Sequence, residues 1–254
     1  GGGTSMFYGK AGGGRRADPA ADLPAQWAAK NGGGVVKDAA SLAAAPRGKP
    51  VLGLFSPSHM TYMADRKPDT AEPTLTDMTA QAIARLKGDK KGFYLMVEGG
   101  RIDHAHHEGR AGYALEEAVE FARAVQWAVD HTNPEETLIL VTADHSHVFT
   151  IAGYPVRGND ILGLVVPPPG GGDGDHAGGL KDGDPTLALD GKPYTTLGYA
   201  NGPGAVKGDR PVPQTGIKAQ QQSLVPTGAE THGGEDVARA GGREPQQSCC
   251  GGGH

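Results

Sequence analysis

Stretches in which apolar residues recur every three or four positions alternate, along this chain, with short runs that are apolar throughout. "ADLPAQWAAK" (residues 21–30) reads as a short helix, and "NGGGVV" behind it as a turn into a strand. "PVLGLF" (50–55) has the pattern of a buried strand. "TLTDMTAQAIARLKG" (74–88) opens with Thr74 three residues before Asp77, as a capping box does, and carries Leu75, Met78, Ala82 and Leu86 on one stripe. "GFYLMVE" (92–98) is the next buried strand. The longest helix is expected from about residue 107 to 129. There Leu115, Ala118, Ala122, Val125 and Val129 recur at helical steps, and Glu116, Glu117 and Glu120 read as a solvated face. "TLILVTAD" (137–144) is a further buried strand. Strands apolar on both faces, alternating with helices, predict an α/β fold: a three-layer sandwich around a mostly parallel central sheet. After Tyr154 the pattern dissolves into Gly/Pro-rich sequence, relieved only by "YTTLGYA" (194–200), and no internal repeat is seen.

Composition narrows the function classes. The 254 residues suffice for one α/β domain or two small ones, and the 42 glycines and 19 prolines fall in clusters that imply irregular connections and loose ends. The net charge of −5, with no lysine/arginine stripe, argues against a nucleic-acid partner. No run of 18 apolar residues is present to span a membrane. Cys249 and Cys250 are adjacent and form neither a disulfide framework nor a zinc knuckle, so the redox compartment stays open. The chain starts at glycine with no signal peptide, which reads as a fragment.

Candidate chemistry concentrates in three places. In an open parallel sheet, functional groups collect past the carboxyl ends of the strands. Glu98 ends one expected strand, and Asp144-His145 ends another. In "VEGGRIDHAHHEGR" (97–110), Asp103 and His107 stand four apart and share a face if helical, while Gly99-Gly100 lets the backbone turn sharply after Glu98. "ETHGGEDV" (230–237) adds His232, so six of the ten histidines lie in these stretches. Mixed Asp/His sets without cysteine suit zinc, and a carboxylate-only position suits magnesium. So many oxygen ligands favour a catalytic, multi-metal site over a closed structural one, and paired ions suit phosphoryl groups.

"VEGGRIDHAHHEGRA", "LVTADHSHVFTIAGYPVRG", "YANGPG" and "ETHGGEDV" resemble the alkaline phosphatases, in that family's order, clearly over residues 52–237 and loosely over 1–30. The resemblance implies magnesium at Glu98, a first zinc at Asp103, His107 and His232, and a second zinc at Asp144 and His145. Chemistry and resemblance select the same six residues. The implied activity is hydrolysis of phosphate monoesters through a phosphoserine, by an exported homodimer. The family's Asp-Ser-Ala nucleophile, its first metal-binding aspartate, its phosphate-clamping arginine and the polar residue completing the magnesium site have no match, and are expected upstream of Gly1. Residues 1–254 thus read as the second half of a catalytic domain, poorly active alone. Within it, 157–224 is an irregular insertion suited to a subunit contact, and 238–254 is a disordered or out-of-frame tail. Two alternatives remain: another hydrolase of the same superfamily (phosphodiesterase or sulfatase-like), or a metal-binding remnant without turnover.

The other polar residues have plainer readings. His104 is read as standing behind the ligands, where it could help orient the site, or at the surface. His106 is read as standing behind the ligands or at the surface, and His147 as a core or supporting histidine. Ser56 stands where some relatives hold an acidic calcium ligand, so no calcium site is expected there or at nearby His59. Ser146 lies outside the nucleophile context.

Overall fold

The structure is a computed structural model, and it describes residues 1–170 and 181–242. The chain divides into two compact units. One comprises Gly1–Arg101 with Glu117–Thr137, the other Ile102–Glu116 with Leu138–His254.

The first unit is built from capped helices and one small parallel ladder. Helix α1 (Leu23–Asn31) starts where the Asp22 carboxylate accepts the N–H of Ala25, with proline in the first turn. Strand β1 (Gly34–Val36) pairs in parallel with β2 (Val51–Gly53), and α2 (Ala39–Ala44) lies between them with a capping box from Asp38 and Ser41. Helix α3 (Leu75–Leu86) has the expected Thr74/Asp77 capping box, with both reciprocal bonds present. Arg85 of α3 donates to the carbonyls of Ala45 and Pro46 at 2.7 and 2.8 Å, tying α3 to the end of α2.

The longest helix, expected at about 107–129, is α5 (Ala111–His131), and a separate short helix, α4 (Arg101–His107), precedes it. Gly109 adopts φ +66°, and the N–H groups of Gly109 and Arg110 return to the carbonyls of His106 and Ala105. That is a Schellman stop, which a glycine makes without strain. The acidic face of α5 also departs from the expectation of a solvated one. Glu117 accepts the N–H of Met63 at 2.6 Å, and Glu120 accepts that of Thr76 at 2.9 Å. Glu120 is buried.

The second unit contains short ladders: β3 (Ile139–Thr142) with β9 (Arg239–Gly242), β4 (Ser146–His147) with β8 (His232–Gly233), and β5 (Phe149–Ile151) with β6 (Leu197–Gly202), all antiparallel. Strand β6 also pairs in parallel with β7 (Ser223–Pro226). Ala111, Leu197 and Tyr199 form a buried cluster with Phe149 and Leu162 packed against it. The start of α5 is held from afar, because the buried Gln221 side chain accepts the N–H of Ala111 at 2.6 Å.

Two expected buried strands differ. Residues 92–98 form no ladder among the described residues, and Tyr94 is 88% exposed. The run at 137–144 yields β3, whose only neighbour among the described residues is β9, and Leu140 is 64% exposed. A run apolar on both faces is buried only with cover on both sides. Strand β6 lies inside the expected insertion at 157–224, of which residues 171–180 are outside the described residues. Of the expected tail, β9 is ordered into a ladder and residues 243–254 lie outside the described residues.

Candidate metal centre

Two elements of the second unit assemble the cluster. On α4, Asp103 and His107 are one turn apart, and Asp103 Oδ1 lies 3.3 Å from His107 Nε2. The β4–β8 ladder then sets His147 opposite His232 and Ser146 opposite Gly233. Gly233 leaves the room taken by the Ser146 hydroxyl and the Glu235 carboxylate, and a Cβ there would make those two side-chain ends shift. The ladder is only two residues long, yet it brings in histidines from segments far apart in sequence.

Four imidazole nitrogens surround one carboxylate oxygen. Asp103 Oδ1 is 3.2 Å from His147 Nε2, 3.3 Å from His107 Nε2 and His232 Nε2, and 3.8 Å from His145 Nε2. That oxygen is buried and accepts no hydrogen bond. The Nδ1–H of His107 donates to the Glu230 carbonyl at 2.5 Å, which turns the Nε2 edge of the ring toward Asp103. A buried carboxylate oxygen without a hydrogen-bond partner is costly by itself, and a cation held among these nitrogens would relieve it.

The spacing fits a particular kind of cation. Ligands about 2.0–2.1 Å from a tetrahedral ion lie about 3.3–3.4 Å from one another. Asp103 Oδ1, His107 Nε2 and His232 Nε2 form a triangle with edges of 3.3, 3.3 and 3.1 Å. Three such ligands are the donor set of an open zinc site. Asp144 Oδ2 is 3.3 Å from His145 Nε2, the same separation for a second pair, and the Asp144 carboxylate is 87% exposed.

Behind these groups lies a buried polar layer. The Glu230 carboxylate accepts from His147 Nδ1 and from the Val148 N–H, both at 2.7 Å. His106 stacks on His147 with ring centroids 4.6 Å apart, and its Nδ1 is 2.9 Å from the Tyr199 hydroxyl. Burial, followed by the neighbouring His147, pushes His106 down to about 4. Burial, followed by the Glu230 charge, pushes the Tyr199 phenol upward. At neutral pH both groups are therefore uncharged, and the contact joins a phenol to a neutral imidazole.

A family model of alkaline phosphatases matches residues 1–250. The chain belongs to the alkaline phosphatase family. It is 48% identical over 194 residues to the chicken (Gallus gallus) tissue-nonspecific alkaline phosphatase, covering 74% of this chain and 34% of that protein. The human enzyme of the same name is 47% identical over 195 residues, covering 74% of this chain and 33% of that protein. The chain spans about a third of the length of these relatives. Among solved structures, the Thermus thermophilus alkaline phosphatase superposes with a TM-score of 0.54 at 34% identity, covering 61% of this chain and 32% of that one. A cold-active alkaline phosphatase from Shewanella gives 0.50 at 30% identity, covering 60% and 35%. The chain thus has an alkaline-phosphatase-like α/β fold.

Of the six residues singled out from the sequence, Asp103, His107, His145 and His232 meet around one point, and Asp144 sits beside His145. Glu98 lies in the first unit, exposed, and joins no ligand cluster among the described residues. His104 is half-buried on α4 and contributes no atom to the cluster. His147 stands closer to Asp103 than the sequence suggested, and Glu230 was missed. The available signal was its place two residues before His232 in "ETHGGEDV".

Proposed function

We propose that this chain supplies the metal-binding part of an alkaline phosphatase active site, one that hydrolyses phosphate monoesters through a phosphoserine intermediate. The Asp103–His107–His232 triangle around an otherwise unsatisfied carboxylate oxygen carries the reading. Those three residues hold one zinc, Asp144 and His145 contribute to a second, and Glu98, a hard oxygen donor, takes magnesium. Ions held there supply Lewis-acid stabilisation of the charge that develops on the transferring phosphoryl group.

The protein's own part is orientation. His107 is clamped at Nδ1 by the Glu230 carbonyl and Asp103 is fixed on α4, so both present their donor atoms without rearrangement. No serine of the chain stands in an Asp-Ser-Ala context, so the nucleophile is not among these residues. The apolar runs at 92–98 and 137–144 support a three-layer sandwich with a mostly parallel central sheet as the complete architecture. Residues 157–224 form an insertion that joins two copies in a homodimer, residues 238–254 are a tail to the catalytic domain, and the complete enzyme is exported.

The test is zinc and phosphate binding by the chain and by His107→Ala. The chain is expected to hold zinc and, once loaded, to bind inorganic phosphate, and His107→Ala to lose both. Unchanged zinc stoichiometry in the variant overturns the ligand assignment. A zinc-loaded chain that ignores phosphate overturns the phosphoryl reading.

A further inference from the structure

We propose that Glu230 is a positioning residue of the metal centre: its buried carboxylate keeps a proton on His147 Nδ1 and turns the Nε2 edge of that ring toward Asp103. The inference rests on the metal reading above and names what holds the site in shape. The Glu230 side chain is 0% exposed, and both carboxylate oxygens are used. Oε1 accepts the Val148 N–H and Oε2 accepts from His147 Nδ1, each at 2.7 Å. A carboxylate only accepts, so the ring nitrogen facing it must carry the hydrogen. The opposite nitrogen, Nε2, then lies 3.2 Å from Asp103 Oδ1, and that oxygen receives no hydrogen bond.

The same residue holds the other ring through its main chain. Its N–H donates to the His107 carbonyl at 2.9 Å, and its own carbonyl accepts from His107 Nδ1 at 2.5 Å. One residue thereby sets the orientation of two imidazoles and pins the end of α4 on which His107 sits. A buried carboxylate behind a histidine is the arrangement that fixes tautomer and ring angle around an ion.

The two modes separate under one isosteric change. In Glu230→Gln the amide oxygen remains with the Val148 N–H, and the amide NH2 faces His147 Nδ1. Two donors cannot face each other, so His147 must give up its Nδ1 proton. His107 keeps its hydrogen-bond acceptor, the Glu230 backbone carbonyl, although the Glu230 carboxylate also lies 3.7 Å from its Nδ1.

The experiment is two-bond 1H–15N correlation of the histidine rings in the metal-free 254-residue chain at neutral pH. It is paired with zinc affinity measured by competition with a chromophoric chelator. Wild type should show both His107 and His147 protonated at Nδ1. Glu230→Gln should shift the proton off His147 Nδ1, leave the His107 proton on Nδ1, and weaken zinc by about tenfold to a hundredfold. Unchanged His147 signals together with zinc affinity within twofold of wild type overturn the proposal. So does a wild-type His147 without a proton on Nδ1, which needs no variant and decides the matter should Glu230→Gln fail to fold. A wild-type chain that binds no zinc refutes the metal reading, while the ring spectra still test Glu230.

Discussion

Replacing Glu120 by alanine should destabilise the first unit far more than a surface glutamate on a helix would. Its side chain is 6% exposed and accepts the Thr76 N–H at 2.9 Å. Thr76 is the second residue of α3, so its N–H is one of the four donors that the helix itself leaves without a partner. The Glu120 charge also lies at the positive end of that helix. A hydrogen bond to a buried charged acceptor contributes about 1.5–3 kcal/mol. The Arg123 partner, 3.7 Å away and 63% exposed, adds little in water. Glu120→Ala should therefore cost about 2–3 kcal/mol. Glu120→Gln keeps the acceptor but not the charge, and should cost about 1 kcal/mol. Urea unfolding of the chain at pH 7 measures both, with exposed Glu136→Ala as the reference. A loss below about 0.5 kcal/mol for Glu120→Ala, indistinguishable from that reference, would show that Glu120 does not cap α3.

Two pH effects of opposite sign follow from the buried groups. Burial raises the Glu117 carboxyl above the ordinary glutamate range, so the folded state takes up its proton more readily than the unfolded state. That stabilisation is full below the ordinary glutamate value and is lost as pH rises through the raised one. Wild type should therefore gain on Glu117→Gln as the medium is acidified, and a pH-independent difference between them would contradict the assignment. His106 runs the other way: with its pKa held near 4, its protonation opposes folding. Stability should drain away as pH falls from about 6.5 to about 4, by at most about 3 kcal/mol. In chelator-treated protein, His106→Asn should lack this component, and parallel pH profiles for the two proteins would refute it.

The local signals in the sequence were short-range and proved readable. Thr74 and Asp77 form their capping box because both partners lie within one turn. Asp103 and His107 meet because four helical residues make one turn. Glycine's tolerance of positive φ was visible as a type of residue, but that Gly109 ends α4 and lets α5 start at Ala111 was decided by the turn after His107. The tertiary structure decided the rest. Periodicity marks a glutamate as polar but not what folds over it, so Glu117 and Glu120 looked solvated until the backbone at Met63 and Thr76 supplied donors. Apolar runs at 92–98 and 137–144 advertise strands, but burial needs neighbours on both faces, and none of the described residues provides them. The centre itself divides the same way. The sequence names the ligand types, whereas only the β4–β8 ladder and the buried Glu230 carboxylate bring His147 and His232 to the unsatisfied oxygen of Asp103, because residues 44 to 129 positions apart share no local code.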